Sequence, residues 1–196
     1  MRNIALLTAP STMSARSVIS LIERNADRIS VVARSDPLRK PFGAPGRRSQ
    51  QILLRSHLRL APFLFLAYVL PRIVAPIRRS VGGDRGLARC CRELGIPLIE
   101  VPAVDRASFV AELKSHGADT VVMTNFDQIV GTDFIEAFGG EVYNFHPSLL
   151  PRHRGPCPSI HALSEEEPTF GATFFRVSPT IDDGTIVASM PIDLPS

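Results

Sequence analysis

Asn144 and His146 are the side chains of this sequence best placed to do chemistry. They lie two residues apart in the run Val142-Tyr143-Asn144-Phe145-His146, which alternates apolar and polar residues. Gly139-Gly140 precedes the run and Pro147 ends it, so it reads as a short strand. Residues i and i+2 of a strand point to the same side. The amide and the imidazole therefore project together at the strand's carboxyl end, beside a loop stiffened by Pro147, Pro151, Pro156 and Pro158. In α/β sheets that end is where ligands bind. An amide can orient a carbonyl oxygen, and an imidazole can handle a proton. The same pair also suits a hydrogen-bonded turn at a strand end, and spacing alone leaves both readings open.

Other elements must position this strand. Asn3 to Ala9 is a buried first strand, and Arg28 to Arg34 is a second. The helix between them is capped by Ser11 or Ser14 and carries Val18, Ile19, Leu21 and Ile22 as its apolar stripe. This βαβ start implies a parallel sheet. A helix from Arg85 to Leu94 is stopped by Gly95 and Pro97, and Leu98 to Val101 follows as a third strand. Asp105 caps a helix through His116, with Phe109, Val110 and Leu113 inward and Gly117 as its stop. Thr120 to Thr124 reads as a fully buried fourth strand. Thr132 caps a short helix ending at Gly139, and one or two helical turns occupy Pro158 to Ser164. Thr169 to Val177 and Thr185 to Leu194 read as an antiparallel pair at the sheet edge, joined by the turn Ser178 to Gly184.

Composition narrows the class. With 44% hydrophobic and 21% charged residues over 196, the chain is that of a globular protein with one substantial core. It is read as a single domain, residues 1–196. Cys90, Cys91 and Cys157 give no disulfide framework, and the adjacent pair does not easily serve one metal, so no metal is expected. The start does not read as a secretory signal, and a cytoplasmic location is expected. Residues 37–83 hold nine Arg or Lys and no acid, which leaves the rest of the chain net negative. The apolar stretch Leu58 to Ile77 inside them is broken by Pro62, Pro71, Arg72 and Pro76, so it is no membrane span. This insertion reads as a helical hairpin packed on the sheet or on a second subunit. The alternative is a surface for an acidic partner, anionic lipid included. A homodimer through the insertion is favoured over a membrane surface. His57, His116 and His161 read as surface or packing residues, and His153 as an exposed loop histidine within reach of a substrate.

The block Asn144-Phe145-His146-Pro147-Ser148-Leu149-Leu150-Pro151, with Arg154-Gly155 after it, resembles the signature of the folate-dependent formyltransferases. A second block agrees: Gly171-Ala172-Thr173, then Ile181-Asp182-Asp183-Gly184-Thr185-Ile186-Val187. The family includes glycinamide ribonucleotide, methionyl-tRNA and sugar-nucleotide formyltransferases and formyltetrahydrofolate hydrolase. The resemblance covers Gly95 to Leu194. It implies an α/β, Rossmann-like fold of three layers, with a mostly parallel twisted sheet and an antiparallel C-terminal strand pair. It also implies transfer of a formyl group from 10-formyltetrahydrofolate to a primary amine of a small molecule or sugar nucleotide. Asn144, His146 and Asp182 would be the catalytic set. Asn144 and a protonated His146 would stabilise the developing oxyanion, while Asp182 keeps His146 charged and relays protons through a water. Asp182 is preferred to Asp183 because it stands two before Gly184.

The pteridine would be held by backbone groups of two loops, at Asp127, Gln128, Ile129 and Val130 and at Ser178, Ile181 and Asp182. Pro147, His153, Arg154 and Gly155 would line the acceptor side. Two features bear on the acceptor. The turn Ala9 to Met13 has none of the glycines that wrap a substrate phosphate, which argues against glycinamide ribonucleotide. The chain stops at Ser196 without a barrel domain, which argues against tRNA. A 10-formyltetrahydrofolate hydrolase and a non-catalytic partner protein on the same fold are the alternatives.

Overall fold

The computed structural model describes residues 2–9, 14–35, 84–155, 158–166 and 169–193. The expectations for the 37–83 insertion, for Ser11 and for Cys157 fall outside them. Seven strands form one sheet: β1 (Ile4–Thr8), β2 (Ile29–Arg34), β3 (Leu98–Glu100), β4 (Thr120–Thr124), β5 (Val142–His146), β6 (Phe170–Arg176) and β7 (Thr185–Ile192). Their spatial order is β3-β2-β1-β4-β5-β6-β7. The first five pair in parallel, and β6 and β7 run antiparallel, as the pattern of turns predicts.

Five helices accompany the strands among the described residues: α1 (Ala15–Arg24), α2 (Asp84–Glu93), α3 (Ala107–Ser115), α4 (Thr132–Ala137) and α5 (Pro158–Ala162). α1 and α2 cover one face, where Val18, Ile22, Leu87, Cys90 and Cys91 pack on Leu6 and Val32. α3 and α4 cover the other, where Phe109, Leu113, Phe134 and Phe138 pack on Leu7, Val31, Val121 and Val142. The two helix layers bury β1 and β2 on both sides. Parallel strands buried in this way read as continuous apolar runs. None of the described helices is long and apolar enough to cross a membrane.

Three expectations need correction. β4 is not fully buried. Val121 and Met123 point into the α3/α4 core, while Thr120, Val122 and Thr124 are half-buried. On that second face the α1/α2 layer reaches only as far as Val122. Asp105 does not cap α3, whose cap position is Arg106. Its Oδ1 instead accepts from Gly131 N at 2.9 Å, so the carboxylate braces the loop after β4. Thr132 begins α4, with Gly131 at the cap position. Ser14 stands at the cap position of α1 but makes no side-chain cap hydrogen bond there, and Gly117 does end α3, in the left-handed conformation that favours glycine (φ +78°). The edge strand β7 is exposed along its whole length.

Candidate active site

β5 brings the expected pair to one face. Val142 faces the α3/α4 core, so Asn144 and His146 continue that side up to the strand's carboxyl end. Tyr143 and Phe145 turn to the opposite face and pack against Phe174 of β6, with ring centroids 5.2 and 4.5 Å apart. That aromatic contact, with β4 pairing on the other edge, fixes the strand under the two polar side chains. Among the described residues the Asn144 amide makes no hydrogen bond, and it is half-buried.

His146 is 5% exposed and held from two sides. Its Nε2 lies 2.9 Å from the backbone oxygen of His153. A carbonyl only accepts, so Nε2 carries the proton and donates it there. Nδ1 faces Asp182, whose Oδ2 is 3.7 Å away, too far for a hydrogen bond. With Nε2 committed to the protein, Nδ1 is the nitrogen left to serve a reacting atom.

Asp182 reaches His146 by a route the strand pattern does not announce. β6 leaves the sheet with Arg176 opposite Tyr143, three residues before His146. The connection to β7 must therefore run back roughly 10 Å along β5, at about 3.3 Å per residue. Asp182 sits in it with φ +48°, and its Oδ2 accepts from Gly155 N at 2.8 Å. Arg154 pairs with Asp183 at 2.5 Å, so the Pro-rich loop and the β6–β7 connection are joined at two adjacent positions. Gly184 closes the connection. A β-carbon there would lie 1.7 Å from the Arg176 carbonyl oxygen, so only glycine fits.

The Pro-rich loop is braced from beneath by Thr173, which is fully buried. Its Oγ1–H donates to Ser148 O at 2.7 Å, and the same oxygen accepts from Leu150 N at 3.0 Å. Ser148 Oγ in turn donates to Arg152 O at 2.9 Å. The sequence places Thr173 in a matching block but assigns it no role. Its signal is a hydroxyl on the inward register of an apolar strand. His153 corrects its expectation: its side chain is only 10% exposed, and Nε2 lies 3.4 Å from Glu165 Oε1. Pro147 is exposed beside the site.

The loop after β4 contains the other expected contacts. The Gln128 side chain is engaged within the protein. Its Nε2 donates to Ser35 Oγ at 3.0 Å and its Oε1 accepts from Val104 N at 2.9 Å, which ties the loop to the ends of β2 and β3. Val130 is buried, whereas Ile129 and, on the other loop, Ile181 are exposed. The main-chain groups of Gln128, Ile129 and Val130 make no hydrogen bond among the described residues. Ser178 Oγ donates to Thr180 O at 3.1 Å and so shapes its own turn.

A sequence model of the formyl transferase family matches residues 100–194. Phosphoribosylglycinamide formyltransferase of Mycobacterium tuberculosis is 33% identical over 171 residues, covering 80% of this chain and 75% of that protein. The chain belongs to the formyl transferase family. The methionyl-tRNA formyltransferase of Bifidobacterium adolescentis is 34% identical over 102 residues, 52% of this chain. The chain spans about a third of that relative's length, 32%. By fold, this family member superimposes on a phosphoribosylglycinamide formyltransferase from Streptococcus pneumoniae with a TM-score of 0.62 at 16% identity, covering 100% of this chain and 84% of that one.

Proposed function

We propose that the chain transfers a formyl group from 10-formyltetrahydrofolate to a primary amine of a small molecule or sugar nucleotide. The observation that carries this reading is the meeting of Asn144, His146 and Asp182, from two separate segments, at the carboxyl end of β5. The loops beside it fit the co-substrate. Main-chain N–H and C=O groups at 128–130, unpartnered among the described residues, suit a flat heteroaromatic ring with alternating donors and acceptors, and Ile129 and Ile181 offer it apolar cover.

When bound, the folate supplies a formyl group on nitrogen that is already activated toward an amine. The Asn144 amide makes no hydrogen bond among the described residues and can donate to the formyl oxygen as charge builds there. Such a donor is worth about 100- to 1000-fold in rate. His146 moves protons at Nδ1, because Nε2–H is held by the His153 carbonyl. The Asp182 carboxylate faces Nδ1 and is itself oriented by Gly155 N, so it steadies the positive imidazolium that forms when Nδ1 takes a proton. No side chain need form a covalent bond with the formyl group.

The test is the release of tetrahydrofolate from 10-formyltetrahydrofolate by purified protein, measured with a panel of amines and without any amine. Release that requires an amine is expected. Equal release of formate without an amine would move the assignment to hydrolysis. No release in either arm would favour a non-catalytic partner protein.

A further inference from the structure

We propose that Glu165 is a positioning residue for His146, acting through His153. The inference rests on the reading that His146 moves protons in formyl transfer. One carboxylate grips two consecutive residues of the Pro-rich loop. Glu165 Oε2 accepts from Arg152 Nη2 at 2.7 Å, and Glu165 Oε1 stands 3.4 Å from His153 Nε2, an ion-pair distance, Nε2 making no hydrogen bond among the described residues. The backbone oxygens of the same two residues receive the site's own protons. Arg152 O accepts from Ser148 Oγ, and His153 O accepts from His146 Nε2.

To present that oxygen, His153 holds φ at +55°, a left-handed conformation that its β-carbon disfavours. Such a conformation persists only where its surroundings over-determine it. Glu165, three residues beyond α5 and tied to it by a hydrogen bond from Glu165 N to Ala162 O, supplies that determination from outside the site. Without the carboxylate, residue 153 relaxes toward ordinary backbone angles and its oxygen leaves Nε2. His146 is then free to place its neutral-state proton on either nitrogen. A fraction of the molecules carries it on Nδ1, the wrong nitrogen for accepting a proton from the amine.

Two readouts separate positioning from a structural role. In substrate-free protein, long-range proton–nitrogen NMR of the His146 ring is expected to show one neutral tautomer, protonated on Nε2. Glu165→Ala is expected to give a mixture. In the assay, Glu165→Ala is expected to lower kcat about 10- to 100-fold, the scale of a misplaced catalytic group. KM for folate and amine should stay within about twofold. Glu165→Gln, which keeps one acceptor oxygen, should recover most of the loss. If Glu165→Ala does not fold, Glu165→Asp, whose shorter side chain cannot reach both residues, and its cycle with His153→Asn decide the matter. Asn tolerates the left-handed region and removes the imidazole, so in that background the effect of Glu165→Asp should vanish. An unchanged tautomer or an unchanged kcat in a folded Glu165 variant overturns the proposal, as do fully additive effects of the two positions. A chain that lacks formyl transfer but shows the Glu165-dependent tautomer would refute the functional reading and leave the clamp standing.

Discussion

Replacing Thr173 by Val tests whether the Pro-rich loop is held by one buried hydroxyl. Valine keeps the shape, so no cavity opens, but it can neither donate to Ser148 O nor accept from Leu150 N. Neither main-chain group has another partner among the described residues. Each buried, unsatisfied group costs about 1–3 kcal/mol, which puts Thr173→Val about 2–6 kcal/mol below wild type. For a chain of this size each kcal/mol moves Tm by about 2–4 °C, so a fall of about 4–24 °C is expected in a calorimetric scan. Thr173→Ser is the control. It keeps both hydrogen bonds and loses one methyl group, for about 1 kcal/mol. Loosening the loop also frees the His153 oxygen, so Thr173→Val should lose more activity than Thr173→Ser at a temperature where both are folded. If the two variants melt within about 2 °C of each other, the hydroxyl does not carry the loop and the reasoning fails.

Two further outcomes follow from close approach and from burial. Gly184→Ala must push the β6–β7 connection off the Arg176 carbonyl, which a β-carbon would meet at 1.7 Å. It should lower both Tm and activity, and wild-type values for both would show that the connection is not tightly placed. Burial pushes the Cys91 thiol up from 9.0 to about 11, with the neighbouring Cys90 adding to the shift. Because the folded pKa lies above the unfolded one, this contribution is intact below pH 9 and is lost as pH rises toward 11. Denaturant titrations should therefore show about 1–2 kcal/mol lost between pH 9 and 11 that a Cys91→Ala chain does not lose. Equal slopes in the two chains would contradict it.

Much of the architecture is legible in residue patterns because parallel strands buried on both faces leave unbroken apolar runs. Ile4–Thr8 and Ile29–Arg34 show this plainly. Asn144 and His146 are legible because strand periodicity alone puts them on one face. Asp182 is not, since its place depends on how far the β6–β7 connection runs back along β5, and it enters only through resemblance. Asp105 misleads for a related reason. Its side chain satisfies a backbone group 26 residues away, and local pattern reads only near neighbours. The hold on His146 Nε2 is a backbone oxygen, which any residue at position 153 carries and which leaves no mark in the sequence.

The most direct test of the account is the single-turnover rate of formyl transfer in Asn144→Ala. The residue is half-buried and bonds to nothing else described, so its truncation should leave Tm almost unchanged. An amine-dependent rate about 100- to 1000-fold below wild type is expected at saturating 10-formyltetrahydrofolate. A rate equal to wild type in the folded variant would contradict it.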